Sequence, residues 1–173
     1  MFVLSACFLT VFSQTEWPMP YNAEKKLFIY EEVVQVSNVT KDELFNRALD
    51  WVKNFFLAGA NIITEKDAVN GIIKLKYRIT VFKMEKKTKV VDVVVDYNIE
   101  IHVKDGKYKY IIHNFRNFQG STSPGIEIWT NPAKCEKELA IERYTSLNTE
   151  IQALIENMKK FMISGNAKSN QDW

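Results

Sequence analysis

Cys135, His102 and His113 are the side chains with the reactivity for nucleophilic or metal chemistry, and their spacing decides what that chemistry would require. A cysteine nucleophile acts as a thiolate beside a positioned base. Cys135 stands near the start of a predicted helix between Lys134 and Lys137, a setting that favours the thiolate. The two imidazoles fall on predicted strands, across the sheet from that helix, so no base is brought to it. Metal binding would need His102 and His113 together with Asp96 or Glu100. Residues four apart on a strand lie about 13 Å apart, beyond one coordination sphere. Counted outward from the Asp105-Gly106 turn, His102 faces Lys109 and His113 lies opposite Asn98. The pattern therefore predicts no catalytic set, metal cluster or cofactor site. The histidines read as solvent-facing polar residues and Cys135 as a packed thiol.

Charge forms the second pattern. Lys74, Lys76 and Arg78 make a basic stripe on one strand, and Asp92, Asp96 and Glu100 an acidic stripe on the next. Cross-strand pairs of opposite charge contribute roughly 0.2 to 1 kcal/mol each and help fix register. The expected contact is Lys76 or Arg78 with Asp96.

The elements that must carry these residues follow from hydrophobic period. Residues 27–36 read as a first strand, rich in β-branched and aromatic types. Thr40 and Glu43 then form a capping box, with Val39 and Leu44 as its hydrophobic staple, so a helix starts at Lys41 and ends near Gly59. A short strand over 61–65 and a turn at 67–71 follow. From Ile73 the period becomes two, with Leu75, Tyr77, Ile79 and Val81 on one face and Lys74, Lys76, Arg78 and Thr80 on the other. The next strand sets Val91 to Val103 inward at alternate positions, with Asp92, Asp96 and Glu100 outward. Asp105-Gly106 is a hairpin signal with two residues able to take positive φ; it pairs Val103 with Tyr108 and Ile101 with Tyr110. The last strand runs over 107–118. A Gly, Ser and Pro loop over 120–132 leads to a long closing helix with the stripe Tyr144, Leu147, Ile151, Leu154, Met158 and Phe161.

Composition sets the limits. With 173 residues, 46% of them hydrophobic, the chain can bury one core of ordinary size. Its 23 basic and 21 acidic residues nearly cancel, so it has no broad positive field for a phosphate backbone, and nucleic acid is not an expected partner. Residues 1–13 carry no charge and are apolar, yet fall short of the roughly 20 needed for a spanning helix. They read as the apolar part of an export signal, with Val11 and Ser13 preceding a cut and Gln14 as the first mature residue. The absent basic start implies initiation upstream, with Met1 inside the signal. Leu4-Ser5-Ala6-Cys7 offers a second outcome, acylation of Cys7 as a lipoprotein. The organisation expected is a signal-like segment at 1–13, a linker at 14–26, one α+β domain at 27–163 and a disordered tail at 164–173.

Tyr30-Glu31-Glu32-Val33-Val34, Thr40-Lys41-Asp42-Glu43-Leu44-Phe45 with Ala48 and Trp51, and Asn70-Gly71 carry a resemblance. Over about residues 28–118 the chain resembles a family of uncharacterised secreted bacterial proteins, mainly from Bacteroidota, described as a domain of unknown function with a TBP-like fold. The resemblance implies a β-α-β-β-β-β-α order, with two helices packed on one face of a curved antiparallel sheet. It transfers no activity or site, and the fold label carries no DNA binding. The expected role is a non-enzymatic module, exported to the periplasm or cell envelope, that binds a protein or envelope component through the outer sheet face or the loop at 120–130. The alternative is a carrier of a small apolar or lipid-like ligand in a cavity lined by Phe45, Trp51, Phe55, Tyr97, Tyr108 and Tyr110.

Overall fold

A computed structural model of the chain describes residues 17–57, 59–120 and 122–165. The segment 1–13 expected as a signal, with Cys7, the start expected at Gln14 and the tail beyond 165 lie outside the described residues. The chain runs through β1 (Tyr21–Asn22), β2 (Leu27–Phe28), β3 (Tyr30–Gln35), α1 (Lys41–Phe55), β4 (Ile63–Asp67), β5 (Ile72–Glu85), β6 (Thr88–Lys104), β7 (Lys107–Asn117) and α2 (Lys137–Ser164). The five strands from β3 onward form one antiparallel sheet in the order β3-β7-β6-β5-β4, and both helices cover one of its faces. This is the α+β architecture expected.

Strict alternation positions the core. Ile73, Leu75, Val81, Val95, Tyr97, Ile99, Ile101, Val103, Tyr108, Tyr110 and Ile112 are buried against the helices. Leu44, Ala48, Trp51 and Val52 are the buried stripe of α1; Tyr144, Leu147, Ile151, Leu154 and Met158 are that of α2. At the end of α2, Met162 takes the buried place expected of Phe161. A spacing of three and four drifts around a helix of 28 residues, so the stripe had to step over by one position.

Polar contacts fix the layers. The Trp51 indole donates to Asn157 Oδ1 at 3.0 Å, and the Tyr30 hydroxyl donates to Asn148 Oδ1 at 2.8 Å. Arg47 donates to the carbonyls of Met162 and Ile163 at 2.9 Å each, serving the orphan acceptors at the end of α2.

Several boundaries differ from expectation. The first strand is broken at Ile29: β2 pairs with β1 in a separate ribbon, Tyr21 opposite Phe28, and only β3 joins the main sheet. The expected linker is therefore packed structure from Trp17 onward, with Met19 buried and the Trp17 ring 5.4 Å from that of Tyr144. Its prolines end regular structure, but its aromatic and methionine side chains still gain by leaving water. Helix α1 stops at Phe55, and Gly59, at φ 52°, belongs to the 3-10 turn that follows. The short strand begins at Ile63 instead of residue 61.

Of three bulges in the sheet, one leaves Thr64 of β4 without a register partner and two bear on the outer face. Val81 faces Val93 while Phe82 faces Val91, which leaves Asp92 as the extra residue. Val91 is therefore turned to solvent, 59% exposed, rather than inward. Asp92 leaves the acidic stripe altogether and meets Arg143 of α2. The second bulge lies in β7, where His113 pairs with Asn98 and Arg116 with Asp96. Asn114, at φ 56°, accommodates it, since Asn tolerates the left-handed region.

Candidate functional site

The face of the sheet away from the helices is built in rows by the strand register. At the turn end, Lys104 stands opposite Lys107. The second row carries Ile72, His102, Lys109 and Val33 across β5, β6, β7 and β3. The third carries Glu65, Lys74, Glu100, Ile111 and Glu31. Then come Lys76, Asn98 and His113, and lastly Arg78, Asp96 and Arg116.

Acid and base alternate in the lower rows and mostly pair, with Arg116 the exception among the described residues. Arg78 grips Asp96 through two bonds of 2.6 and 3.1 Å, with the Lys76 ammonium at 3.9 Å, the cross-strand contact expected. The Arg78 guanidinium also lies 3.9 Å over the Phe118 ring. Arg78 holds the Asp96 carboxyl below the usual carboxylate range, against the opposing effect of burial. Lys74 pairs with Glu65 at 2.7 Å.

Glu100 is the meeting point of both histidines. Its two carboxylate oxygens lie 3.2 Å from His102 Nε2 and 3.0 Å from His113 Nε2. Burial acts to raise the Glu100 carboxyl, but the two imidazole bonds together with the charges of His113 and Lys74 hold it below the usual carboxylate range. Spacing along one strand missed this trio, because His113 arrives from the neighbouring strand. The same turn count that sets His113 opposite Asn98 sets it diagonal to Glu100, and that was the available signal. Among the described residues no group of three or more His, Cys, Asp or Glu is arranged to hold a metal ion.

The turn end is held rigidly from below. Val36 N–H donates to Gly106 O at 2.8 Å, Gly106 N–H to Val39 O at 2.9 Å, and Lys41 N–H to Asp105 Oδ1 at 2.7 Å. Only Gly106 of the Asp105-Gly106 pair takes a positive φ, 72°. Asp105 instead turns its carboxylate to the start of α1 and acts as a second cap beside Thr40, whose Oγ1 accepts from Glu43 N–H at 3.3 Å. The Glu43 side chain pairs with Arg47 at 3.0 Å instead of closing the capping box. The far hairpin thus adds a cap to the local one and takes the place of the Glu43 half of the box.

On the helix side, Trp51 and Tyr97, two of the aromatics expected to line a cavity, are packed into a run of rings. Ring centroids run from Trp51 to Phe56 at 5.3 Å, on to Tyr77 at 4.6 Å, to Tyr97 at 6.2 Å and to Phe115 at 5.7 Å. Phe45, Tyr108 and Tyr110 are buried as well. Phe55 differs: it is 39% exposed and borders an open groove of about 370 Å³ along β5, with Tyr77, Phe82 and Leu154.

Cys135 is buried on the helix side, where Arg143 Nη1 lies 3.5 Å from its sulfur. Arg143 also binds both Asp92 oxygens, at 2.5 and 3.0 Å, and stands 5.2 Å from the Trp129 ring centre. No imidazole joins this group; both point at Glu100 on the opposite face. The segment 120–130, expected as a loop that could bind a partner, turns inward through a 3-10 turn at Ile126–Thr130 that buries Ile126 and Trp129. Glu127 accepts from Phe28 N–H at 3.1 Å, and Ile126 O accepts from the Tyr144 hydroxyl at 2.8 Å.

No helix among the described residues is long and apolar enough to cross a membrane. The model of a domain of unknown function with TBP-like fold, DUF4468, matches residues 30–118, just over half of the chain. A DUF4468 family protein from Bacteroides ovatus superposes with a TM-score of 0.65 at 13% identity, over 82% of this chain and 90% of that one. A TBP-like protein from Parabacteroides distasonis does so with a TM-score of 0.63 at 14% identity, over 81% of this chain and 95% of that one. No curated protein matches. The strand order, the helices on one face and the matched segment together make this chain a member of the DUF4468 family, with its TBP-like fold.

Proposed function

We propose that this chain is an exported cell-envelope protein and a non-enzymatic binding module that takes a protein or other envelope component on the outer face of its sheet. One observation carries the reading: the helices cover a single face, and the other presents ordered rows of charge with Val33, Ile72 and Ile111 among them. The segment 120–130 has less claim to the role, since its apolar side chains close the core. The carrier alternative has less support too, because Trp51 and Tyr97 are packed against other rings and Phe45, Tyr108 and Tyr110 are buried in the core. Export rests on the uncharged apolar run 1–13.

A photo-crosslinking residue at Lys76 or Ile111, compared with one at Lys160 on α2, tests the face. Crosslinks to envelope material only from the first two are expected. Equal crosslinking from all three positions, or none, would refute it. Fractionation of the native host tests the address: a mature chain starting at Gln14, or acylated at Cys7, is expected in the envelope, and an intact chain in the cytosol would sink it.

A further inference from the structure

We infer that the hollow at the turn end of the outer face is a binding site for a small soluble amphiphile, an oxyanion such as carboxylate or phosphate joined to a short apolar body. The inference rests on the reading that the outer face is the binding surface. The hollow measures about 460 Å³ and is lined by Val33, His102, Lys104, Lys107, Lys109 and Ile111, with Tyr108 beneath. That volume lies within the usual range for small-molecule sites.

The charge there is unmatched. Lys104 and Lys107 are register partners, and like charges directly opposite one another destabilise a sheet. Neither has an ion pair among the described residues. The neighbouring acid, Asp105, is turned away to cap α1. Lys109 is matched by Glu31 at 3.0 Å and His102 is bonded to Glu100, so the surplus sits on the two turn-end lysines. An oxyanion between them would accept from both ammonium groups.

Beside the lysines, Val33 is 51% exposed on an edge strand and Ile111 is half-buried. Their short side chains sit lower than the lysine stems, so they form an apolar floor below a cationic rim. A flat bilayer would meet the ammonium groups before this floor, and a single amphiphile can reach both. The backbone bonds that lock Gly106 to Val36 and Val39 fix the strand ends from which the two lysine side chains project.

Amide NMR titration of the purified full chain with octanoate, octyl phosphate, octanol, inorganic phosphate and phosphatidylglycerol vesicles tests this. Octanoate and octyl phosphate are expected to shift Val33, Lys104, Lys107 and Ile111 saturably, and octanol and inorganic phosphate to bind at least about tenfold more weakly. The double variant Lys104→Gln/Lys107→Gln should weaken octanoate about tenfold without lowering the thermal midpoint, while Lys87→Gln leaves binding unchanged. The proposal fails if no probe saturates or the shifts fall elsewhere. Equal affinity for inorganic phosphate, equal affinity for octanol, or binding to vesicles alone would also overturn it. Crosslinking from Lys76 or Ile111 to envelope material would survive any of these failures, so the two readings fall separately.

Discussion

Replacing Arg143 by methionine removes the guanidinium that binds both oxygens of Asp92, whose side chain is 6% exposed. Methionine keeps the length and apolar stem of the side chain, so the loss is of charge and hydrogen bonds rather than volume. Breaking a buried ion pair from one side leaves an uncompensated charge and costs about 3 to 5 kcal/mol. Lys83 remains 4.0 Å from Asp92, which places the expected loss at the low end, about 3 kcal/mol. In urea that is a midpoint shift of about 1.5 M for a slope near 2 kcal/mol/M. The thermal midpoint should fall by about 6 to 12 °C. Asp92→Asn removes the charge from the other side. Combined with Arg143→Met it should cost clearly less than the two single losses added, with a coupling of at least about 2 kcal/mol. Singles that lose under about 1 kcal/mol, or a double variant that is simply additive, would show that Asp92 is solvated and that the bulge does not deliver it to α2.

Further outcomes follow from local geometry. Lys86 and Lys87 take φ of 47° and 72° in the β5–β6 turn, where Asn-Gly is preferred, so Lys86→Asn/Lys87→Gly should stabilise by about 1 to 2 kcal/mol in urea unfolding. A Cβ on Gly71, at φ 69°, would meet Val103 O at 2.6 Å, so Gly71→Ala should cost more than about 2 kcal/mol; a neutral result would deny the close approach of β6. Asp96 is held below its ordinary pKa by Arg78, so its folded value lies below the unfolded one. Its contribution is complete above the unfolded value of about 3.9 and is lost as the pH falls through the folded value. Urea midpoints measured from pH 7 to pH 2 should drop at the acid end, and Asp96→Asn should flatten that drop while lowering the midpoint at pH 7.

Local signals carried most of the architecture. The period of two from Ile73 to Val81, Thr40 before α1, and the Asp105-Gly106 turn each depend on neighbours a few residues away, so they were legible in the chain. The pairing of Val103 with Tyr108 and of Ile101 with Tyr110 followed directly from the turn. What neighbours could not show is where the alternation breaks. Asp92 looks like one more outward acid until an extra residue in β6 turns it to Arg143, 51 positions along the chain. His113 reaches Glu100 only because β7 lies beside β6, and the residues before β3 become part of the core only because Tyr144 arrives beneath them. Lys104 and Lys107 are ordinary surface lysines in the sequence. Their unmatched charge exists only after Asp105 is committed to α1, a bond between residues 64 apart. The sequence by itself determined the two helices and the five strands of the main sheet in their order, because helices, turns and alternating strands are set by contacts within a few residues. Tertiary structure alone decided the charge pairing and the hollow, because those depend on which distant side chains burial brings together.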